Sequence, residues 1–338
     1  MEIVDLNAAD NQEVFDVYLG LTASGYDLAN PNRADAICDA VMAENWSQRT
    51  LQYFCFARIN DGRVNPYWPR ASILTSVSLL IDQLPVTTHL ALIRTHLAAM
   101  VNLPPAEVDD AMVSWAAAFP EQAASLRTSR VYADAWARYQ HAIQDEIREN
   151  GIRYGREVLA AQGRLHALLP LHSSSPQVMT ILNPLQADPL TDVVSVRDRI
   201  YVVTSHLRAE SCVHELIHIL LDSCLRVWGY RISRNVSLLD SVYDRMAHLM
   251  YAWDRSAASW NNVFSETLVR VLTVLVSDDG GPEWQASQIE DLVQQGFAHA
   301  RPIAETIVMM DKEQPLSDEW LDRCLRACAR VAERTKEK

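Results

Sequence analysis

From about residue 11 to residue 168, apolar side chains recur at spacings of three and four, the period of amphipathic helices. The segments EVFDVYLGLTA (13–23), ASILTSVSLLIDQL (71–84), PAEVDDAMVSWAAAF (105–119) and VYADAWARYQHAIQDEIREN (131–150) carry the pattern, with breaks at Pro or Asn-rich turns. At LLPLHSSSPQ (168–177) Pro, Ser and His replace the periodic text, and a boundary or linker is expected. Short β-type runs follow: QVMTILNPL (177–185), then DVVSVRDRIYVVTS (192–205), which reads as two strands around a turn at Arg197-Asp198-Arg199. Helical spacing returns over 207–227, 236–253, 260–276, 284–297, 300–311 and 317–335. The pattern predicts an α+β fold, predominantly α-helical, with a small β-sheet immediately before the helix that opens near residue 207. Two domains are expected, a helical one over 1–170 and a second over 171–338, unless the two run together as one continuous domain.

Composition narrows the class. The 338 residues are 49% hydrophobic and 22% charged with only 10 Gly and 14 Pro, as in a packed globular protein. The formal net charge of −13 argues against a chain that clamps phosphate backbones, so no nucleic-acid partner is expected. No apolar run reaches the roughly 18 residues of a membrane span, and the N-terminus MEIVDLNAADNQEV carries acids where a signal peptide carries Lys or Arg. These features predict a cytoplasmic protein with no membrane partner. The six cysteines are too sparse for a disulfide scaffold and form no CxxC pair; Cys324 and Cys328, four apart on a helix, read as core.

The helix after the strands contains His214-Glu215-Leu216-Ile217-His218, an H-E-x-x-H pattern. On a helix the two imidazoles lie about 40° apart and can reach one metal ion, with Glu215 about 60° from His218, close enough to hold a metal-bound water. With 10 His and 18 Glu in the chain, chance would place the pattern about 0.016 times in a sequence of this composition. Its apolar surroundings, Cys212-Val213, Leu216-Ile217 and Ile219-Leu220-Leu221, mark a largely buried helix, where two His and a Glu need partners. A catalytic zinc takes three protein ligands and leaves a position for water. A Gly at 221 and a His at 224 would extend the motif, but Leu221 and Cys224 stand there. The helix therefore continues and turns Cys224 about 100° away from the His pair. Cys212, two residues before His214, is also disfavoured.

A carboxylate from a later helix remains, and Glu266 in NNVFSETLVRVLTVLV (261–276) is the leading candidate. On that apolar helix Asn262, Glu266, Arg270 and Thr273 form one polar stripe, which is either a solvated face or a buried stripe needing partners. Asp240 and Asp244 are rivals, and Asp222 reads as an outer partner. Arg270 would orient Glu266, stabilise an oxyanion, or form an ordinary i,i+4 ion pair. Tyr243, His248, Tyr251 and His299, expected on downstream helices, are candidate transition-state donors that also read as packing residues. His206 precedes the helix, and His89, His96, His141, His166 and His172 are read as structural.

These residues resemble the gluzincin zinc peptidases, in which H-E-x-x-H on one helix is completed by a Glu on a later one, and bacterial H-E-x-x-H families of similar length. The resemblance spans roughly 177–276. It departs in spacing: Glu266 lies 48 residues beyond His218, where well-known members have some twenty. It implies a zincin-like domain, Zn2+ held by His214, His218 and Glu266, and Glu215 as general base in hydrolysis of a peptide or protein substrate, held along an edge strand at 192–197 or 199–204. Two alternatives stand beside it: a non-catalytic helical binding or regulatory protein with a structural or relic zinc site, and a zinc hydrolase of a non-peptide amide.

Overall fold

The computed structural model describes residues 11–25, 37, 41, 44–55, 70–82, 89–100, 103–168, 177–186, 191–197, 199–240, 242–246, 252, 254–277, 281–309 and 317–336. Most of the stretch expected as a linker lies outside them. The fold is predominantly helical α+β with a three-stranded sheet. In chain order the helices before the sheet are α1 (Gln12–Ala23), α2 (Gln48–Cys55), α3 (Arg70–Asp82), α4 (His89–Met100), α5 (Asp110–Ala117), α6 (Phe119–Arg127) and α7 (Tyr132–Leu168). The strands are β1 (Gln177–Leu182), β2 (Thr191–Val196) and β3 (Arg199–Thr204). After them come α8 (Ala209–Ser233), α9 (Ser237–Asp240), α10 (Tyr243–Met246), α11 (Ala257–Val276), α12 (Gly281–Gln294), α13 (Ala300–Met309) and α14 (Asp318–Lys336).

Contacts divide the chain into two compact units, one of Met1–Tyr154 with Pro176–Arg208 and one of Gly155–Ser175 with Ala209–Lys338. This partition does not follow the change of texture near residue 170: the sheet segment groups with the N-terminal helices, and α7 contributes to both units.

In the first unit β3 is central, parallel to β1 and antiparallel to β2. Val196 pairs with Arg199, so β2 and β3 are joined by a two-residue turn in which Arg197 adopts φ 58°. Helices α1 and α3 are apolar nearly all round and are buried accordingly, α3 packing on β2 and on α1. Two buried carboxylates hold α1 in place. Asp16 accepts from Tyr132 Oη at 2.6 Å and from Arg127 Nε at 2.8 Å. Asp192 on β2 accepts from Tyr18 at 2.9 Å, Ser72 at 2.7 Å and Gln186 at 3.2 Å. A carboxylate taken out of water persists only with such donors.

Two helical expectations change. The segment 105–119 is a short 3-10 turn followed by α5, because the Asp109 side chain accepts from Ala111 N at 2.8 Å and caps a new start. Conversely, α7 passes through Asn150-Gly151 for 37 residues. Burial of Tyr139, Ile143, Tyr154, Val158 and Leu165 along one side outweighs a glycine penalty of about 1 kcal/mol.

In the second unit α8 packs along α11, α11 meets α12 and α13, and α14 packs on α13, α8 and α9. Trp228 of α8 stacks on Trp320 of α14 at 5.8 Å. Cys324 and Cys328 are free buried thiols in that core, and burial pushes the Cys324 thiol up to about 12. Of the helix expected over 236–253, the described residues include the turns α9 and α10, and His248 and Tyr251 lie outside the described residues. Among the described residues, no helix is long and apolar enough to cross a membrane.

Candidate metal centre

Helix α8 buries Cys212, Val213, Leu216, Ile217 and Leu221, which leaves His214, Glu215 and His218 on its half-exposed flank. With Leu221 where a helix-ending glycine would stand, α8 continues to Ser233 and carries Cys224 away from that flank. Opposite, α11 begins at Ser256, whose side chain accepts from Ser259 N at 3.1 Å. Its polar stripe is no solvated face: Glu266 is 4% exposed, and Thr273 is buried with its hydroxyl donating to the Val269 carbonyl.

The packing of α8 on α11 brings His214, His218 and Glu266 together. The two histidine Nε2 atoms are 3.2 Å apart, His218 Nε2 is 3.1 Å from Glu266 Oε2, and His214 Nε2 is 3.6 Å from Glu266 Oε1. All three donor atoms lie within 4.8 Å of one another. Arg270, one turn along α11, places Nε 2.7 Å from Glu266 Oε1, and its Cζ sits 4.8 Å over the ring of buried Phe297.

Burial first, and Arg270 with His218 after it, depress His214 to about 4 against the pull of Glu266, so it is neutral near pH 7. Burial also presses on His218, but the hydrogen bond to Glu266 and the charges of Glu266 and Glu215 outweigh it and its pKa is raised. Burial would raise Glu266; the hydrogen bond from His218 and the nearby His214 and Arg270 win instead and hold it near 2. The centre is thus an ionised carboxylate and a neutral imidazole beside a second imidazole. The proton on His218 Nε2 that serves Glu266 cannot also point at His214. Once that proton leaves, two imidazole nitrogens and a carboxylate oxygen converge, a donor set that could hold a metal ion. Glu215 is half-buried on the same flank.

The rivals are engaged elsewhere. Asp222 pairs with Arg226 on α8, and Asp240 and Asp244 pair with Arg255. Tyr243 lies under the Arg255 guanidinium at 4.3 Å. His299 is in the turn before α13 rather than on a helix, edge-on to Trp260 at 5.5 Å. His206 approaches Glu146 at 3.9 Å in the first unit. The residue that sequence reading missed is Phe297. An arginine on a buried stripe signals that something must shield its stem, but not which aromatic does so. A cavity of about 350 Å³ in the same unit, lined by Arg156, Arg164, Glu210 and Val213 among others, includes none of the three donors.

Set against known protein families, curated proteins and solved structures, the chain matches none of them.

Proposed function

We propose that the protein is a zinc-dependent metallopeptidase in which His214, His218 and Glu266 hold the metal and Glu215 is the general base. The observation that carries this reading is the convergence of two imidazole nitrogens and a carboxylate oxygen from α8 and α11 within 4.8 Å. Three protein donors with a position left for water is the arrangement of a catalytic site, and a fourth protein ligand would instead close it into a structural one. Bound zinc supplies Lewis acidity toward a water and a substrate carbonyl. The chain supplies the remainder: His214 offers a neutral imidazole, Glu266 a full negative charge, and Glu215 takes a proton from the attacking water and returns it to the leaving amine.

Metal analysis and hydrolysis of a peptide library by wild type, His214→Ala and Glu215→Gln test the reading. Wild type should carry one zinc per chain, and His214→Ala should lose it. Glu215→Gln should keep the zinc and lose about 10²–10⁴-fold in turnover. A wild type free of metal after purification without chelators would remove the centre, and a Glu215→Gln variant with full turnover would remove the mechanism.

A further inference from the structure

We propose that Arg270 is a positioning residue that makes Glu266 a one-oxygen ligand, keeping coordination room at the metal for water and substrate. The inference rests on the metal reading above. Glu266 divides its two oxygens: Oε2 faces His218 Nε2 at 3.1 Å, while Oε1 is engaged by Arg270 Nε at 2.7 Å. A close ion pair at a buried carboxylate is little screened by water, so Oε1 faces a fixed positive charge before a cation arrives. The arginine is itself fixed. Its guanidinium lies 4.8 Å over Phe297, which is buried in the turn between α12 and α13, and this removes freedom that a solvated i,i+4 pair would keep. A carboxylate with both oxygens free can chelate a small cation through the pair and consume a position that the reaction needs. Oε1 also lies 3.6 Å from His214 Nε2, but the guanidinium competes for it and leaves Oε2 as the oxygen free to ligate. Outer partners of metal ligands commonly set ligand orientation in this way.

Cobalt(II) is the probe, because its visible bands are intense at low coordination number and weaken as ligands are added. Wild type, Arg270→Met and Arg270→Lys are loaded with cobalt, and bound metal, visible absorption and far-UV circular dichroism are recorded. Arg270→Met should still bind one cobalt per chain with a marked loss of band intensity. Arg270→Lys, which keeps a charged donor, should restore the wild-type spectrum. A folded, cobalt-loaded Arg270→Met with the wild-type spectrum overturns the inference, as does a folded variant that binds no cobalt, which would make Arg270 necessary for ligation itself. Should Arg270→Met fail to fold, Phe297→Leu carries the test: intermediate band intensity is expected, and an unchanged spectrum overturns the inference. Failure of the wild type to bind cobalt would instead overturn the metal reading.

Discussion

His299 is 1% exposed, packed edge-on to Trp260, and burial lowers its pKa to about 4 against the nearby Leu238 backbone carbonyl, which raises it. The unfolded chain would titrate it near 6.5. Between these values the unfolded state binds the extra proton, so stability rises with pH; it is complete above about 6.5 and drains away as pH falls toward about 4. The shift corresponds to about 3 kcal/mol in full and about 2 kcal/mol at about pH 5. Urea midpoints of wild type and His299→Leu at about pH 7.5 and about pH 5 check this. The variant should lose about 2 kcal/mol less on acidification, and equal losses would place the acid sensitivity elsewhere. At this scale the sequence was unevenly legible. The i,i+4 spacing placed His214 and His218 on one flank, because helix geometry alone does so. Glu266 could be picked from Asp222, Asp240 and Asp244 only as part of a stripe on an apolar helix. What separates them in the structure is tertiary: the aspartates face arginines, and Glu266 faces imidazoles. Nothing local marked His299 as buried.

Among the elements, α1 shows what periodicity cannot carry. Gly20 lies in mid-helix, where Ala would ordinarily gain about 1 kcal/mol. The ring of Phe54 from α2 occupies the space its Cβ would need. Gly20→Ala should therefore destabilise by about 1–3 kcal/mol, the usual range for overpacking. The cost should fall when Phe54→Leu is combined with it, a less-than-additive double-mutant cycle in urea denaturation. Strict additivity would show that the ring is not what the glycine makes room for. The helical segments were largely legible because each shows a face, and the two strands around Arg197 because β-branched residues flank a turn. The misread points have local causes that compete with pattern: the Asp109 cap splits one expected helix, and core burial along α7 carries it through a glycine. Close approach of a ring to a backbone leaves no periodic trace, only a glycine whose reason lies some thirty residues away in the chain.

For the molecule as a whole, the proposed metal ties to one unit. His214, Glu215, His218, Glu266 and Arg270 all belong to the unit of Gly155–Ser175 with Ala209–Lys338, while the carboxylate anchors Asp16 and Asp192 belong to the other. That division was not legible in composition, since the sheet segment follows a helical half yet groups with it. A ligand stabilises only what it binds, by about 2.7 kcal/mol at a free concentration about one hundred times its Kd. Local opening of α8 and α11 separates the three donors, whereas opening of α1 or α3 leaves them untouched. Hydrogen exchange with and without zinc should therefore slow in 209–233 and 257–276 and stay unchanged in 12–23 and 70–82. Equal slowing in both sets would mean that the chain opens as one cooperative block, and no change in α8 or α11 would mean that zinc is not held by His214, His218 and Glu266. The Arg270→Met variant sharpens the reading: it leaves the three donors in place, so protection by zinc should persist in α8 even where the visible spectrum of the cobalt form changes.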